Sequence, residues 1–170
     1  MRANPDRPDT HPTPRTEWRV RPARTSDRTF MLDITPRLAQ GFDLPPWRRQ
    51  REVVEAESAT LENALRRAAE PGAVLVAENA EGAPGGYVYV HRETDYYGRV
   101  HAHIEILVVG EAAEGRGAGR ALVEAAEAWA GSEGLDLITL NVFADNRRAR
   151  ALYERLGYAA ETLHYVKPLT

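Results

Sequence analysis

Apolar positions along the chain change period several times, and each change marks an element. In EWRVRPAR, Trp18, Val20 and Pro22 alternate with charged neighbours, the pattern of a short half-buried strand. Phe30, Ile34 and Leu38 then recur at every fourth residue, which predicts a helix capped by Thr25 or Ser26 and kinked or ended at Pro36. GFDLPPW reads as a loop. From Arg48 to Ala69 a long, strongly charged helix carries Val54, Leu61, Leu65 and Ala68 on one face, and Pro71 and Gly72 stop it. Three strand-like runs follow: AVLVAE from Ala73, GYVYVHRE from Gly86 and HAHIEILVV from His101. The turn-forming stretches EGAPGG and ETDYYGR between them predict an antiparallel meander.

The third run leads directly into EGRGAGRAL, after which Ala118, Leu122, Ala125 or Ala126, and Trp129 follow a helical period that Gly131 and Gly134 end. LDLITLNVF from Leu135 is a further strand, and Asn146 to Leu156 a helix with Ala149, Leu152, Tyr153 and Leu156 on one face. GYAAETLHYVKPL closes the chain with one or two strands. Strands and helices mix irregularly and without repeats, so the fold class is α+β with a mixed sheet. Strand alternation in HAHIEILVV places Ile104, Ile106 and Val108 on one face and His101, His103 and Glu105 on the other.

A chain of 170 residues fits one domain, and at this size folding buries about 70% of the unfolded surface without a covalent staple. The proline-rich start, MRANPDRPDTHPTPR, lacks an apolar segment. It reads as a disordered tail over residues 1–15 ahead of a domain at 16–170, and as neither a secretion signal nor a membrane anchor. There are no cysteines, which removes disulfides, thiolate metal sites and a cysteine nucleophile. Twenty-two basic and 25 acidic side chains are spread along the chain for a net charge of -3, so no broad surface for nucleic acid is expected.

Gly115, Gly117 and Gly119 stand where a helix begins, and each costs about 0.5 to 1 kcal/mol relative to alanine inside an element. A strand, a glycine-rich turn and a helix N-terminus together make an anion site; the bland reading is a flexible turn. Two familiar phosphate loops do not fit, because Arg120 stands where a Rossmann fingerprint needs glycine and no Lys-Ser or Lys-Thr follows. His101, His103 and Glu105 form a His-x-His-x-Glu triplet. Strand alternation produces such triplets easily and no second ligand cluster is visible, so no metal is expected. On spacing alone Tyr153 is a core tyrosine, Asn146 a helix N-cap, and Arg147, Arg148 and Arg150 a solvated helix face.

Glu114, Gly115-Arg116, Gly117, Ala118 and Gly119 resemble the central signature of the GCN5-related N-acetyltransferase (GNAT) family: Gln or Arg, two residues, Gly, one residue, then Gly or Ala, after a strand. HAHIEILVVGEAAEGRGAGRALVEAAEAWA is similar to that family's fourth strand and third helix. NVFADNRRARALYERLGY resembles its Asn-x-x-Ala-x-x-Leu-Tyr-x-x-x-Gly-Phe/Tyr segment. The order of elements matches from about residue 17 onward. The resemblance implies the GNAT fold, a mixed and largely antiparallel sheet flanked by about four helices, with acetyl-CoA as co-substrate.

On that resemblance the backbone of Gly115, Arg116, Gly117, Ala118, Gly119 and Arg120 cradles the pyrophosphate. The strand segment Leu107, Val108 and Val109 lies along the pantetheine, and Asn146 contacts the CoA arm. Glu105 matches the general base, acting through a water, with His103 the second choice; Tyr153 matches the residue that donates to the departing thiolate. One position departs: Glu114 replaces the usual Gln or Arg and sets a carboxylate beside the expected pyrophosphate. The implied activity is transfer of an acetyl group to a primary amine of a small molecule, amino acid or protein, directly in a ternary complex. The alternatives are a non-catalytic acyl-CoA sensor and a partner-binding domain on the same fold. Phe42, Trp47, Tyr96 and Tyr97 are candidates for an aromatic entrance, and Asp43, Glu93 and Asp95 for greeting a cationic acceptor. A homodimer and a cytoplasmic location agree with the resemblance, and no nucleic-acid or membrane partner is expected.

Overall fold

The computed structural model describes residues 17–66 and 72–169. The tail over residues 1–15 and the last part of the long helix expected through Ala69, with its stop at Pro71, lie outside the described residues. Five strands form one sheet in the order β1 (Arg19–Pro22), β2 (Gly72–Glu78), β3 (Pro84–Thr94), β4 (Val100–Val109) and β5 (Ile138–Leu140). Neighbouring strands from β1 to β4 are antiparallel, and β5 joins β4 in parallel. This is the mixed, largely antiparallel sheet that the sequence implies. Four α-helices accompany it among the described residues: α1 (Arg28–Ile34), α2 (Gln50–Arg66), α3 (Ala118–Ser132) and α4 (Arg147–Arg155).

The sheet separates two apolar layers. On one face Leu122, Ala126 and Ala130 of α3 pack on Ala77, Val88, Val90, Ala102 and Ile104. On the other, Met31 of α1 and Leu61 of α2 cover Val76, Tyr87, Ile106 and Val108. Each fully buried aliphatic side chain contributes about 1.5 to 3 kcal/mol by leaving water.

Ile104 and Ile106 thus lie in different layers, although strict alternation expects them on one face. The cause is a β-bulge. Pairing steps from Tyr89↔Ile106 to Val90↔Ile104, so Glu105 is an extra residue with no counterpart on β3. The inserted residue flips the side-chain order of β4 at its midpoint. The expected face of Ile104, Ile106 and Val108 is therefore corrected: Ala102 and Ile104 face α3, while Ile106 and Val108 face α1 and α2.

Pro36 acts where the period predicts. The α-helical turns of α1 end at Ile34 and a 3-10 turn, Thr35–Ala39, carries the chain on. The N-terminal cap differs from the expected Thr25 or Ser26, because the carboxylate of Asp27 accepts the Arg24 backbone N–H at 2.7 Å. Asp27 also accepts two hydrogen bonds from the buried Arg21, at 2.7 and 3.0 Å, and Glu78 accepts a third at 2.5 Å. Gly131 remains inside α3, and Gly134, with φ of +72°, turns the chain out of it.

The closing strands expected in GYAAETLHYVKPL do not form: residues 158–169 carry no ladder, and Leu163, Tyr165 and Leu169 are at least 76% exposed. An alternating pattern specifies a strand only when an edge is present to pair with, and nothing in the described chain pairs with this one. No helix among the described residues is long and apolar enough to cross a membrane.

Candidate active site

β4 and β5 pair only from Ala102↔Ile138 to Ile104↔Leu140. Beyond Ile104 the two strands part, at the residue where Glu105 bulges out of β4. The β5-facing edge of Leu107, Val108 and Val109 is thereby left open in the sheet, and it leads through a 3-10 turn, Glu111–Ala113, to the glycine loop and the start of α3. The cleft that results has the bulged carboxylate at its head and a helix N-terminus at its foot.

The three glycines of the loop answer different needs. Gly115 and Gly117 have φ of +70° and +95°, left-handed conformations that side chains with a Cβ rarely adopt. Gly117 is the residue that opens α3. Gly119 is instead a matter of contact, since a Cβ there would lie 3.3 Å from Leu152 Cδ2 and 3.5 Å from Val109 Cγ2. The loop is fastened from outside by Trp18, whose indole N–H donates to the Arg116 carbonyl at 2.9 Å. The first backbone N–H groups of α3, from Ala118 onward, have no carbonyl one turn earlier and point out of the helix with the positive end of its dipole.

Glu114 does not face this anion site unopposed. Its carboxylate accepts from Arg37 and, at 2.5 Å, from Arg148 of α4. The hydrogen bond from Arg148, followed by that from Arg37, holds its carboxyl below the usual carboxylate range. Arg37 also donates through Nε to the Val109 carbonyl at 3.0 Å, tying the end of β4 to the same cluster. Arg120 is turned along the helix onto Glu124 at 2.7 Å.

At the head of the cleft, Glu105 Oε2 lies 3.2 Å from His91 Nε2 and 3.8 Å from His103 Nε2. The hydrogen bond with His91 lowers the Glu105 carboxyl and, reciprocally, raises His91. His103 is buried, with Nδ1 2.7 Å from Thr139 Oγ1 and Nε2 3.5 Å from Asn141 Nδ2 of the diverging segment. Burial lowers its pKa. Across this group, Glu57 of α2 is pushed up to about 7 by burial and then by the charge of Glu105. His91 and Glu57 escaped the sequence reading: each sits in a run that the period explains as strand or charged helix, and only the register and the helix packing bring them to Glu105.

Tyr153 is buried on α4, with its ring centroid 5.8 Å from that of Tyr158. Burial pushes its phenol up to about 12, so it keeps its proton at neutral pH and remains a donor. Asn146 performs the capping role, its Oδ1 accepting the Ala149 N–H at 3.1 Å. Of the proposed entrance, Tyr96 and Tyr97 pack edge to face at 5.5 Å in the β3–β4 turn and are otherwise in solvent, while Phe42 meets Phe143 at 5.6 Å. Glu93 lies among the histidines of β4, 3.5 Å from His101 and 3.4 Å from His103.

The description that matches this chain over residues 38–158, more than half its length, is that of the Acetyltransferase (GNAT) family. The chain belongs to the GNAT family. Its fold and its splayed β4–β5 pair are those of a GNAT acetyltransferase, an enzyme class that uses acetyl-CoA and an acceptor. An uncharacterized N-acetyltransferase, YhfO of Bacillus subtilis, is 29% identical over 149 residues, covering 86% of this chain and 94% of that protein. Mycothiol acetyltransferase of Beutenbergia cavernae is 43% identical over 61 residues, which span 36% of this chain and 20% of that enzyme. Among solved structures, a putative acetyl transferase from Pyrococcus furiosus is 26% identical with a TM-score of 0.71, covering 90% of this chain and 100% of that one. AAC(6')-Iy, solved with the bisubstrate analogue CoA-S-monomethyl-acetylneamine, shares the GNAT fold at a TM-score of 0.66 and 18% identity, over 91% of this chain and 100% of that one.

Proposed function

We propose that this GNAT enzyme transfers the acetyl group of acetyl-CoA to a primary amine by direct attack within a ternary complex. The observation that carries the reading is the position of Glu105, a bulged residue with no register counterpart on β3 whose carboxylate meets His91, at the point where β4 and β5 part. Acetyl-CoA supplies an activated thioester when bound. The loop amides from Gly115 to Arg120 receive its pyrophosphate, Leu107, Val108 and Val109 line the pantetheine, and Asn146 borders the arm.

An alkylammonium with a pKa near 10 has to lose a proton before its nitrogen can bond to the acetyl carbon. Glu105 accepts that proton through a water, and His91, 3.2 Å away, shares the charge. As the carbon–sulfur bond breaks, the nitrogen gives up its second proton to solvent water, Tyr153 donates a hydrogen bond to the leaving thiolate, and the thiolate then takes a proton from solvent. The Tyr153 phenol is less acidic than a thiol, so stabilisation rather than full proton transfer is its contribution. Glu93 and Glu105 give the acceptor side a negative lining suited to a cation, and a cation there would favour the charged form of Glu57. No cysteine is present to carry the acetyl group, which supports direct transfer.

Thiol release from acetyl-CoA in the presence of a panel of primary amines tests this reading. Glu105→Gln should lower kcat by about a hundredfold or more, and Tyr153→Phe should lower kcat while acetyl-CoA binding is retained in calorimetry. Amine-independent thiol release, or full turnover in both variants, overturns it.

A second copy of the chain is the partner supported by the C-terminal segment. β5 is an edge strand, and the C-terminal segment exposes Leu163, Tyr165 and Val166, apolar side chains that an edge of a second copy could cover.

A further inference from the structure

We propose that Glu93, His101 and His103 form a binding site for a divalent transition-metal ion of the Zn2+ class on the β3–β4 face beside Glu105. The site adjoins the proposed acceptor side, with which it shares Glu93, and does not depend on which acceptor the enzyme uses. The triplet His101, His103 and Glu105 invites a metal reading along β4 alone, and the bulge spoils it by moving Glu105 to the other ring nitrogen of His103. Sheet register supplies the missing donor. Glu93 of β3 stands directly opposite His101 and its Oε2 lies 3.5 Å from His101 Nε2 and 3.4 Å from His103 Nδ1.

These separations are those of a metal polyhedron. Bonds of about 2.0 to 2.1 Å in tetrahedral geometry place neighbouring donors about 3.4 Å apart. The three donor atoms all fall within 4.8 Å of one another, so an ion would draw them together and displace Thr139 from His103 Nδ1. Both imidazoles are buried and Glu93 lies at the rim, an arrangement with fixed nitrogen ligands inside and an oxygen ligand at the opening.

The surroundings orient the donors. His101 Nδ1 is 3.3 Å from the Arg99 carbonyl, which accepts from it, and Nε2 is turned toward the Glu93 carboxylate. A ring nitrogen and a carboxylate oxygen facing each other need a proton or a cation between them. His103 Nδ1 lies 3.4 Å from Glu93 Oε2 and makes a 2.7 Å hydrogen bond with Thr139 Oγ1 that an ion would replace, and the Glu105 carboxylate lies beyond its Nε2. A ligating histidine whose second nitrogen faces a carboxylate is a recurrent metal-site arrangement. Two imidazoles and one carboxylate suit Zn2+, Co2+ or Ni2+ and not Mg2+ or Ca2+, which take all-oxygen sets.

The test uses the full chain after treatment with a chelator. Zn2+ titrated in a calorimeter should bind as a single ion per chain and raise Tm, and Co2+ in its place should give the visible absorption of a four-coordinate site. Glu93→Gln, at the half-exposed rim, should weaken Zn2+ binding at least about tenfold, as should His101→Asn, while His164→Asn in the exposed C-terminal segment should not. Circular dichroism checks that each variant is folded. Absence of stoichiometric Zn2+ uptake by the parent chain, or uptake that survives both Glu93→Gln and His101→Asn, overturns the site and leaves a proton shared among the three groups.

Discussion

Trp18 donates its indole N–H to the backbone carbonyl of Arg116, 98 positions further along the chain. The ring lies over Gly85, where an added Cβ would come within 2.3 Å of it, so bare backbone on β3 is what lets the indole reach the loop. The amides around Arg116 belong to the loop proposed to receive the pyrophosphate. Trp18→Phe keeps the ring and removes the donor, at a net cost of about 0.5 to 1.5 kcal/mol. The expected outcome is an acetyl-CoA KM about two- to tenfold higher with kcat retained, measured by thiol release. An unchanged KM would show that the loop holds its shape without Trp18.

Glu114 stands where the signature that its loop resembles has Gln or Arg, and Arg37 and Arg148 both engage it. Glu114→Gln removes one negative charge and leaves two guanidinium groups at the foot of the cleft. Two unit charges 4 Å apart interact by about 1 kcal/mol in water, so acetyl-CoA affinity should rise about fivefold at low salt. The gain should shrink as ionic strength increases. Calorimetric titration at two salt concentrations checks both statements, and weaker binding in the variant would assign Glu114 to holding the arginines in place for the cofactor.

The sequence carried most of this fold because its signals are local. Gly115 and Gly117 mark left-handed turns, Pro36 ends an α-helix, and the meander from Ala73 to Val109 follows from turn residues at fixed offsets. The Asn146 and Tyr153 positions were legible for the same reason. Glu105 was legible beside His103, whereas the expected shared face of Ile104 and Ile106 failed, because a bulge depends on how β3 seats against β4 and leaves no mark in the period of either strand. His91, Glu93 and Glu57 come to Glu105 through register and helix packing, which join residues far apart in the chain. The C-terminal run failed in the opposite sense: its alternation is real, and its partner is absent from the described residues.

Arg21 sits buried between Asp27 and Glu78, and its hydrogen bond lowers the Asp27 carboxyl below its ordinary range. The unfolded chain therefore binds that proton more tightly than the folded one. The stability contributed by Asp27 is complete above the ordinary carboxylate pKa of about 4 and is lost as pH falls toward the lower folded value. Urea unfolding between pH 2.5 and 7 should show this slope in the parent chain, and Asp27→Asn should flatten it. Arg21→Leu leaves two carboxylates without their counter-ion and should cost about 3 to 5 kcal/mol at neutral pH. A parent-like acid slope in Asp27→Asn would remove Asp27 as its source.

Leu163, Tyr165, Val166 and Leu169 are exposed in the C-terminal segment, and the edge strand β5 is only three residues long. Exposed apolar side chains and an unpaired edge are costly in a monomer and useful across an interface. Pairing of this run with a second copy's edge would satisfy both at once, and would do so symmetrically, as dimers usually do. Light scattering after size exclusion should then give twice the chain mass of 18.9 kDa. The pair Leu163→Asp and Val166→Asp places charges on the run without touching either apolar layer, so the doubly substituted chain should stay folded by circular dichroism and elute as a monomer. A parent chain that is already monomeric at tens of micromolar would end the argument for strand pairing and return these residues to an ordinary exposed terminus.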